Sequence, residues 1–239
     1  MSAWTAADIM AVTMARLLGD ARHVAVGALS PLPATAALLA RELDPELRVS
    51  ILGSRRYNVF TDGGRELFDC AAQGRIDAFF LSGVQIDGRA NINLVHTGDY
   101  AHPAKRFPGS FGSAYLYSLV KKVILFKPEH TPRVLVPKVD FVSAAGVSPA
   151  HEYRPGGPRH LVTSLALFDF TDARFTLRSV HPGHTIEEVA RATGFEYAAE
   201  RVTETPPPSE AELAALRGRV REEVADTYPH YAATALRTP

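Results

Sequence analysis

The stretch from His23 to Leu52, HVAVGALSPLPATAALLARELDPELRVSIL, decides the fold class. It opens on a short apolar run, passes through an Ala/Leu-rich middle and ends on a second short run beginning at Arg48. Purely apolar runs of about five residues, too short for a helix, read as strands covered on both faces. The segment from Ala34 to Leu43, after the loop Ser30-Pro-Leu-Pro33, reads as a helix. Strand, helix and strand in that order predict α/β layering. The rhythm extends both ways. Upstream, Ile9, Val12, Met14 and Leu17 form a helical stripe between a Thr5–Asp8 cap and a stop at Gly19. Downstream, the polar loop Gly53–Gly64 leads to a helix over Arg65–Gln73, a stop at Gly74 and a strand over Asp77–Leu81.

The second half changes character. Lys122–Phe126, Arg133–Val136, Phe141–Ser143, Leu161–Phe170 and Phe175–Val180 are five strand candidates with few helices between them. Ala114–Val120 reads as a helix, and Thr185 with Glu188 fits a capping box for another that ends at Gly194. Thr205-Pro-Pro-Pro-Ser209 is a stiff tether before an amphipathic helix over Ser209–Val224. A proline tract this short predicts a tether packed on the body, so residues 1–239 read as one domain with a strand-rich C-terminal half.

Composition narrows the function classes. The 239 residues are 46% hydrophobic and 22% charged, an ordinary globular balance. A chain of this length buries roughly 70–75% of its unfolded surface, so it needs no metal or disulfide staple. Lys+Arg and Asp+Glu both number 26, which leaves no electrostatic footprint for nucleic acid or an anionic membrane. The single cysteine, Cys70, sits among Phe68, Ala71 and Ala72 and reads as a small core residue. The N-terminus lacks the basic and apolar regions of a signal peptide, and no apolar run reaches the ~18–20 residues of a membrane span. The expectation is a cytoplasmic protein.

Three segments could carry chemistry. The loop Gly53–Gly64 sits after a strand and before a helix, where open α/β sheets bind ligands. Within it Ser54, Arg55, Arg56, Tyr57 and Asn58 are candidate substrate contacts, the arginines gripping a carboxylate or phosphate; each arginine could equally pair a surface acid. In Ser82–Asn93 the polar Gln85, Asp87, Asn91 and Asn93 alternate with apolar residues. Amides there could orient a thioester carbonyl. The other reading is a hairpin whose Asp-Gly makes the turn and whose asparagines satisfy local backbone. The turn Phe107-Pro-Gly-Ser-Phe-Gly-Ser113 precedes a helix, and Gly109, Ser110 and Gly112 could bring backbone N–H groups to an anion or an oxyanion. No His-x-x-x-His or Gly-x-Ser-x-Gly pattern occurs, and His181 and His184 read as turn and cap residues.

In chain order, the Gly-x-x-Gln-x-Asp core of Ser82–Asn93, the Phe107–Ser113 turn, Val136-Pro-Lys-Val-Asp-Phe-Val142 and Gly156-Gly-Pro158 form one set. The Phe-Asp-Phe end of the Leu161–Phe170 run, His181-Pro-Gly-His-Thr-Ile-Glu-Glu-Val189 and Thr193-Gly-Phe195 complete it. The set resembles the beta-type subunit of class I coenzyme A transferases, the glutaconate CoA-transferase group. The resemblance implies an open three-layer α/β/α fold, an alpha-type partner subunit in an α2β2 assembly, and an active site at the subunit junction. It implies an acyl-CoA substrate, with coenzyme A arriving as part of that substrate and no separate cofactor. In the family's transferases a beta-subunit glutamate, in the loop corresponding to Gly53–Asn58, attacks the thioester. This sequence has no glutamate between Glu46 and Glu66. Neither serine nor arginine can form the acyl-anhydride and glutamyl-thioester intermediates.

That departure is similar to the ring-opening CoA-ester hydrolases of bacterial steroid degradation, where the acting glutamate is expected on the alpha-type partner. On that reading this chain carries no assured catalytic residue of its own, and Arg55, Arg56, Tyr57 and Asn58 line the pocket. Gln85 and Asn91 then approach the thioester, beside Ala90 where the family usually has glycine. A transferase subunit with a displaced glutamate and a non-catalytic assembly subunit are the alternatives.

Overall fold

A computed structural model describes residues 4–237. In chain order it begins with α1 (Ala6–Leu18), β1 (His23–Val26), α2 (Pro31–Leu43), β2 (Arg48–Ile51), α3 (Gly63–Ala72) and β3 (Ala78–Leu81). Two short antiparallel hairpins follow: β4 (Gln85–Ile86) with β5 (Ile92–Asn93), and β6 (His96–Gly98) with β7 (Pro103–Arg106). Next come α4 (Ser113–Leu119), β8 (Lys122–Lys127), β9 (Pro158–Thr163), β10 (Ala166–Thr171), β11 (Arg174–Val180), α5 (Ile186–Ala192) and β12 (Thr203–Glu204). The last three helices are α6 (Glu210–Arg217), α7 (Arg219–Thr227) and α8 (Pro229–Ala235). The architecture is mixed α/β, in two compact units: residues up to 80 with those from 206 onward, and residues 81–205.

In the first unit β1 lies between β2 and β3 and runs parallel to both. All four β1 residues are buried, as a strand covered on both faces requires. α1 starts with a reciprocal cap: the Thr5 hydroxyl accepts from the Asp8 N–H at 3.2 Å, and the Asp8 carboxylate accepts from the Thr5 N–H at 2.8 Å. α2 begins on Pro31, whose missing N–H costs nothing in the first turn. The C-terminal helices close over α1 and α2. The Arg16 guanidinium forks onto the Glu212 carboxylate at 2.8 and 2.7 Å and also donates to the Pro206 and Pro207 carbonyls. The helix expected over Ser209–Val224 is broken in two, because Gly218 leaves helical geometry (φ −94°, ψ −114°). Cys70 is half-buried rather than a core residue.

In the second unit β8 and β9 are parallel, β9–β10 and β10–β11 are antiparallel, and β12 pairs parallel with β11. Phe168 and Phe175 are fully buried and pack edge-on at 6.1 Å, with Phe195 stacked on Phe175 at 5.2 Å. Two of the expected strands are absent as such. Arg133–Val136 makes only an isolated bridge, from Leu135 to Ile86, and beside Phe141–Ser143 the bridge to Ile92 comes from the next residue, Ala144. Pro132 and Pro137 bracket the first of them and stop any ladder from growing. The run Leu161–Phe170 is two strands, because the Thr163 hydroxyl accepts from the N–H groups of Leu165 and Ala166 and closes a tight turn inside it.

The β10–β11 hairpin turns on Asp172 and Ala173, both at positive φ (50° and 61°), between the paired Thr171 and Arg174. That is type I′ geometry, which glycine prefers at the second position. Ala173→Gly is expected to stabilise the protein by up to about 1 kcal/mol, the left-handed cost of alanine less the entropy that glycine adds to the unfolded chain. A urea midpoint that stays level or falls would contradict it.

Candidate active site

The loop after β2 begins at Gly53, whose φ of +84° allows the turn. Ser54 then locks it. Its buried Oγ accepts from the N–H groups of Arg56 (3.2 Å) and Tyr57 (3.1 Å). The chain folds back so that the Ile51 N–H donates to the Tyr57 carbonyl at 3.1 Å, covering the edge of β2. Tyr57 is buried, and its hydroxyl accepts from Arg41 at 3.0 Å and donates to Glu223 of α7. Burial, then the Glu223 carboxylate, raise its pKa. Arg56 lies over the Tyr57 ring at 5.2 Å and pairs with Glu223 at 3.4 Å. The Asn58 side-chain oxygen accepts from the Phe60 N–H at 3.1 Å. Four of the five candidates therefore hold the loop together. Arg55 is exposed and has no ion pair or hydrogen bond among the described residues.

Glu66, the next glutamate along the chain from Glu46, is also occupied. It accepts from the N–H of Thr61, from the Thr61 hydroxyl at 2.9 Å and from the Asp62 N–H at 3.3 Å. The bonds from Thr61 lower its pKa. It caps the entry to α3.

In the second unit Ser82–Asn93 forms the β4–β5 hairpin, with Gln85 opposite Asn93 and Ile86 opposite Ile92. Its polar side chains join one network. Gln85 donates to Asp140 at 3.0 Å and accepts from the Asn93 amide at 2.8 Å and the Asp140 N–H at 2.9 Å. Asn91 donates to Asp87 at 3.0 Å and accepts from the Gly146 N–H at 3.1 Å. Asp87 also gathers the N–H groups of Arg89 and Asn91, closing the turn. Gly146 is needed here because a Cβ would stand 2.1 Å from the Arg89 carbonyl oxygen. Gln85 and Asn91 are thus tied on two sides and rigid, each with one amide N–H left over. Ala90 sits at φ +56°, a conformation that favours glycine, and its carbonyl accepts from the buried Tyr117 hydroxyl at 2.7 Å.

The glycine turn packs close: a Cβ on Gly109 would lie 3.0 Å from the Leu94 carbonyl oxygen. Gly112, at φ +58°, caps α4, and Ser110 is exposed. Asp140, Asn93 and Ser113 were not singled out as site residues by sequence. The Ser113 hydroxyl is buried behind Gly112 without a partner among the described residues. Asn93 had the right alternation to be found; Asp140 comes from a segment 55 positions from Gln85, which spacing could not reveal. His184 caps α5 through Glu188 at 2.9 Å, whereas His181 is buried and holds Thr205 at 2.9 Å and the Thr163 carbonyl at 3.0 Å.

The sequence profile of the coenzyme A transferase family matches residues 49–192. The chain belongs to the coenzyme A transferase family. It is 33% identical to a 3-oxoadipate CoA-transferase subunit of Pseudomonas knackmussii, over 91% of this chain and 94% of that protein. It is 28% identical to the cholesterol ring-cleaving hydrolase IpdB subunit of Rhodococcus jostii, over 81% and 83% of the two chains. A chain of the Rhodococcus jostii IpdAB crystal structure superposes with a TM-score of 0.77 at 27% identity, covering 91% of this chain and 94% of its own. Glutaconate coenzyme A-transferase from Acidaminococcus fermentans superposes with a TM-score of 0.82 at 22% identity, over 99% and 98% of the chains, a likeness of fold. The beta-type assignment drawn from the motifs holds. Among the described residues no helix is long and apolar enough to cross a membrane.

Proposed function

We propose that this chain is the beta-type subunit of a heteromeric CoA-ester hydrolase that opens a ring of a cyclic keto acyl-CoA, the alpha-type partner supplying the catalytic glutamate. The observation that carries this reading is the loop after β2. It holds no glutamate between Glu46 and Glu66, and its one buried serine hydroxyl, on Ser54, is spent on the loop's own backbone. A group so bound is a poor nucleophile. Hydrolysis does not require one on this chain. Water adds to the ring ketone, the carbon–carbon bond breaks, and its electron pair passes to the α-carbon as an enolate. The water's oxygen ends in a new carboxylate, and a proton returns to the α-carbon. A thioester-conjugated enolate needs a fixed donor near its oxygen, and the rigid Gln85–Asn91 hairpin with the Gly109–Gly112 turn is suited to provide one. The name of the Rhodococcus relative supports a steroid-derived ring as the substrate.

Arg55, exposed and unengaged, is the residue of the loop fitted to take a substrate carboxylate. Arg55→Ala is expected to raise KM for a carboxylate-bearing acyl-CoA by roughly 10-fold or more, the value of one charge-assisted contact, with little change in Tm. An unchanged KM would remove Arg55 from the pocket.

A second reading has its own support: the 3-oxoadipate transferase subunit is the relative with 33% identity. The two are separated by trapping. The complex incubated with acyl-CoA and then with borohydride is expected to leave this chain unmodified. A reduced glutamyl adduct on this chain would restore the transferase reading.

A further inference from the structure

A cavity of about 340 Å³ opens in the second unit, between the loop that runs from Gly146 into β9 and the Asp172–Ala173 turn of β10–β11. That is the size of a small-molecule site. Arg154 lines it and is half-buried. A Cβ on Gly157 would stand 3.3 Å from Arg154 Nε and 3.5 Å from its Nη2, so the glycine makes the seat for the guanidinium. Three N–H groups of Arg154 are engaged: Nε donates to the Gly156 carbonyl at 3.3 Å, Nη1 to the Ser148 hydroxyl at 3.0 Å and Nη2 to the Tyr117 carbonyl at 3.3 Å. All three acceptors are neutral, and the buried Tyr117 ring lies 5.4 Å away. A guanidinium has about five N–H groups to give, so the others have no partner among the described residues. No carboxylate pairs with Arg154 among those residues either. Two acids stand on the cavity wall, Glu152 and Asp172; both are exposed, and only the charge of Glu152 reaches the arginine. Burial lowers the Arg154 pKa, as it does for a cation whose lost hydration no opposite charge replaces. Arg159, also on the wall, donates through Nε to the Lys121 carbonyl at 3.3 Å and is in no ion pair among the described residues.

We propose that this cavity binds a small monocarboxylic acid, its carboxylate on the remaining N–H groups of Arg154 and its carbon chain against Val147, Pro149 and Pro158. A cation partly withdrawn from water calls for an opposite charge, and a guanidinium matches a carboxylate two bonds at a time. An arginine that only stapled the loop would need no open cavity beside it. Glu152 and Asp172 favour a singly charged ligand over phosphate, because each repels a second negative charge. The apolar wall favours a carbon skeleton over an inorganic ion. The assignment does not rest on the reaction proposed above.

The test titrates the complex of this chain with its alpha-type partner calorimetrically with butyrate, butyramide and inorganic phosphate. Butyrate is expected to bind, and butyramide, which has the same shape without the charge, to bind about tenfold more weakly or worse, the value of one charge-assisted contact. Arg154→Gln is expected to weaken butyrate by the same factor. Because Arg154 also braces its loop, Ala150→Trp serves as a second variant. It leaves every contact of Arg154 in place, fills the cavity from an exposed position and is expected to abolish butyrate binding with Tm unchanged. Arg55→Ala is expected to keep butyrate binding, which puts the site in this cavity and not at the loop after β2. Butyrate bound equally by wild type, Arg154→Gln and Ala150→Trp would overturn the assignment, as would a wild-type complex that binds no butyrate. Phosphate bound more tightly than butyrate would overturn the choice of a carboxylate.

Discussion

Between pH 7 and pH 5 the protein is expected to lose about 4 kcal/mol of stability, through two buried histidines of the second unit. His130 and His181 are 6% and 2% exposed. His130 lies between the hydroxyls of Thr163 (2.7 Å) and Thr193 (2.8 Å). The Thr193 hydroxyl donates to the Val189 carbonyl, so His130 Nε2 carries a proton that Thr193 accepts. His181 Nε2 faces the Thr163 carbonyl, which only accepts, so its Nδ1 is the acceptor for Thr205. Both rings are thus held neutral by neutral partners. Burial lowers each pKa to about 4. The unfolded imidazole titrates near ~6.5, so between these values the unfolded chain holds the extra proton. Stability is then full above about pH 6.5 and falls as the pH drops toward 4. At pH 5 each ring contributes a loss of about 2 kcal/mol. Urea unfolding at pH 7 and pH 5 measures this directly, and His181→Gln is expected to remove about half of the slope. A stability that is level across this range would contradict the assignment of neutral, buried rings.

Arg217→Met is expected to cost about 3–5 kcal/mol. Asp8, in the first turn of α1, is fully buried, and Arg217 of α6 grips both its oxygens at 2.7 and 2.6 Å. The carboxylate raises the Arg217 pKa. Removing the arginine strands a buried charge, and that stranding makes the loss large; the pair itself contributes less. The double variant Asp8→Asn/Arg217→Met is therefore expected to recover most of the loss, since a neutral amide can still accept from the Thr5 N–H. A single variant within about 1 kcal/mol of wild type would mean that Asp8 has another partner or access to water.

The strand–helix–strand beginning was legible because its burial is local: β1 is apolar throughout after His23, and the Thr5–Asp8 cap and the Gly19 stop bracket α1. Reading failed where apolar runs have two solutions. Arg133–Val136 bridges a hairpin instead of extending a sheet, and Leu161–Phe170 hides a turn made by one threonine hydroxyl. The candidate loop was found by position, but the roles within it were not. Nothing near Arg56 and Tyr57 in sequence announces Glu223, which is brought in by the C-terminal helices. The alternation in Ser82–Asn93 showed a polar face without showing that Asp140 and Gly146 consume most of it. Arg154 gave no signal, because a guanidinium without a carboxylate is visible only once its neighbours are known.

The central claim is that this chain serves ring-opening hydrolysis and carries no covalent nucleophile. Its most direct test is turnover by the co-expressed complex of this chain with its alpha-type partner, on a cyclic keto acyl-CoA and with no acceptor acid present. The account predicts ring-cleaved acyl-CoA that appears only when both chains are present, with coenzyme A still attached. Strict dependence on an added carboxylic acid, with coenzyme A moved onto it, would contradict it.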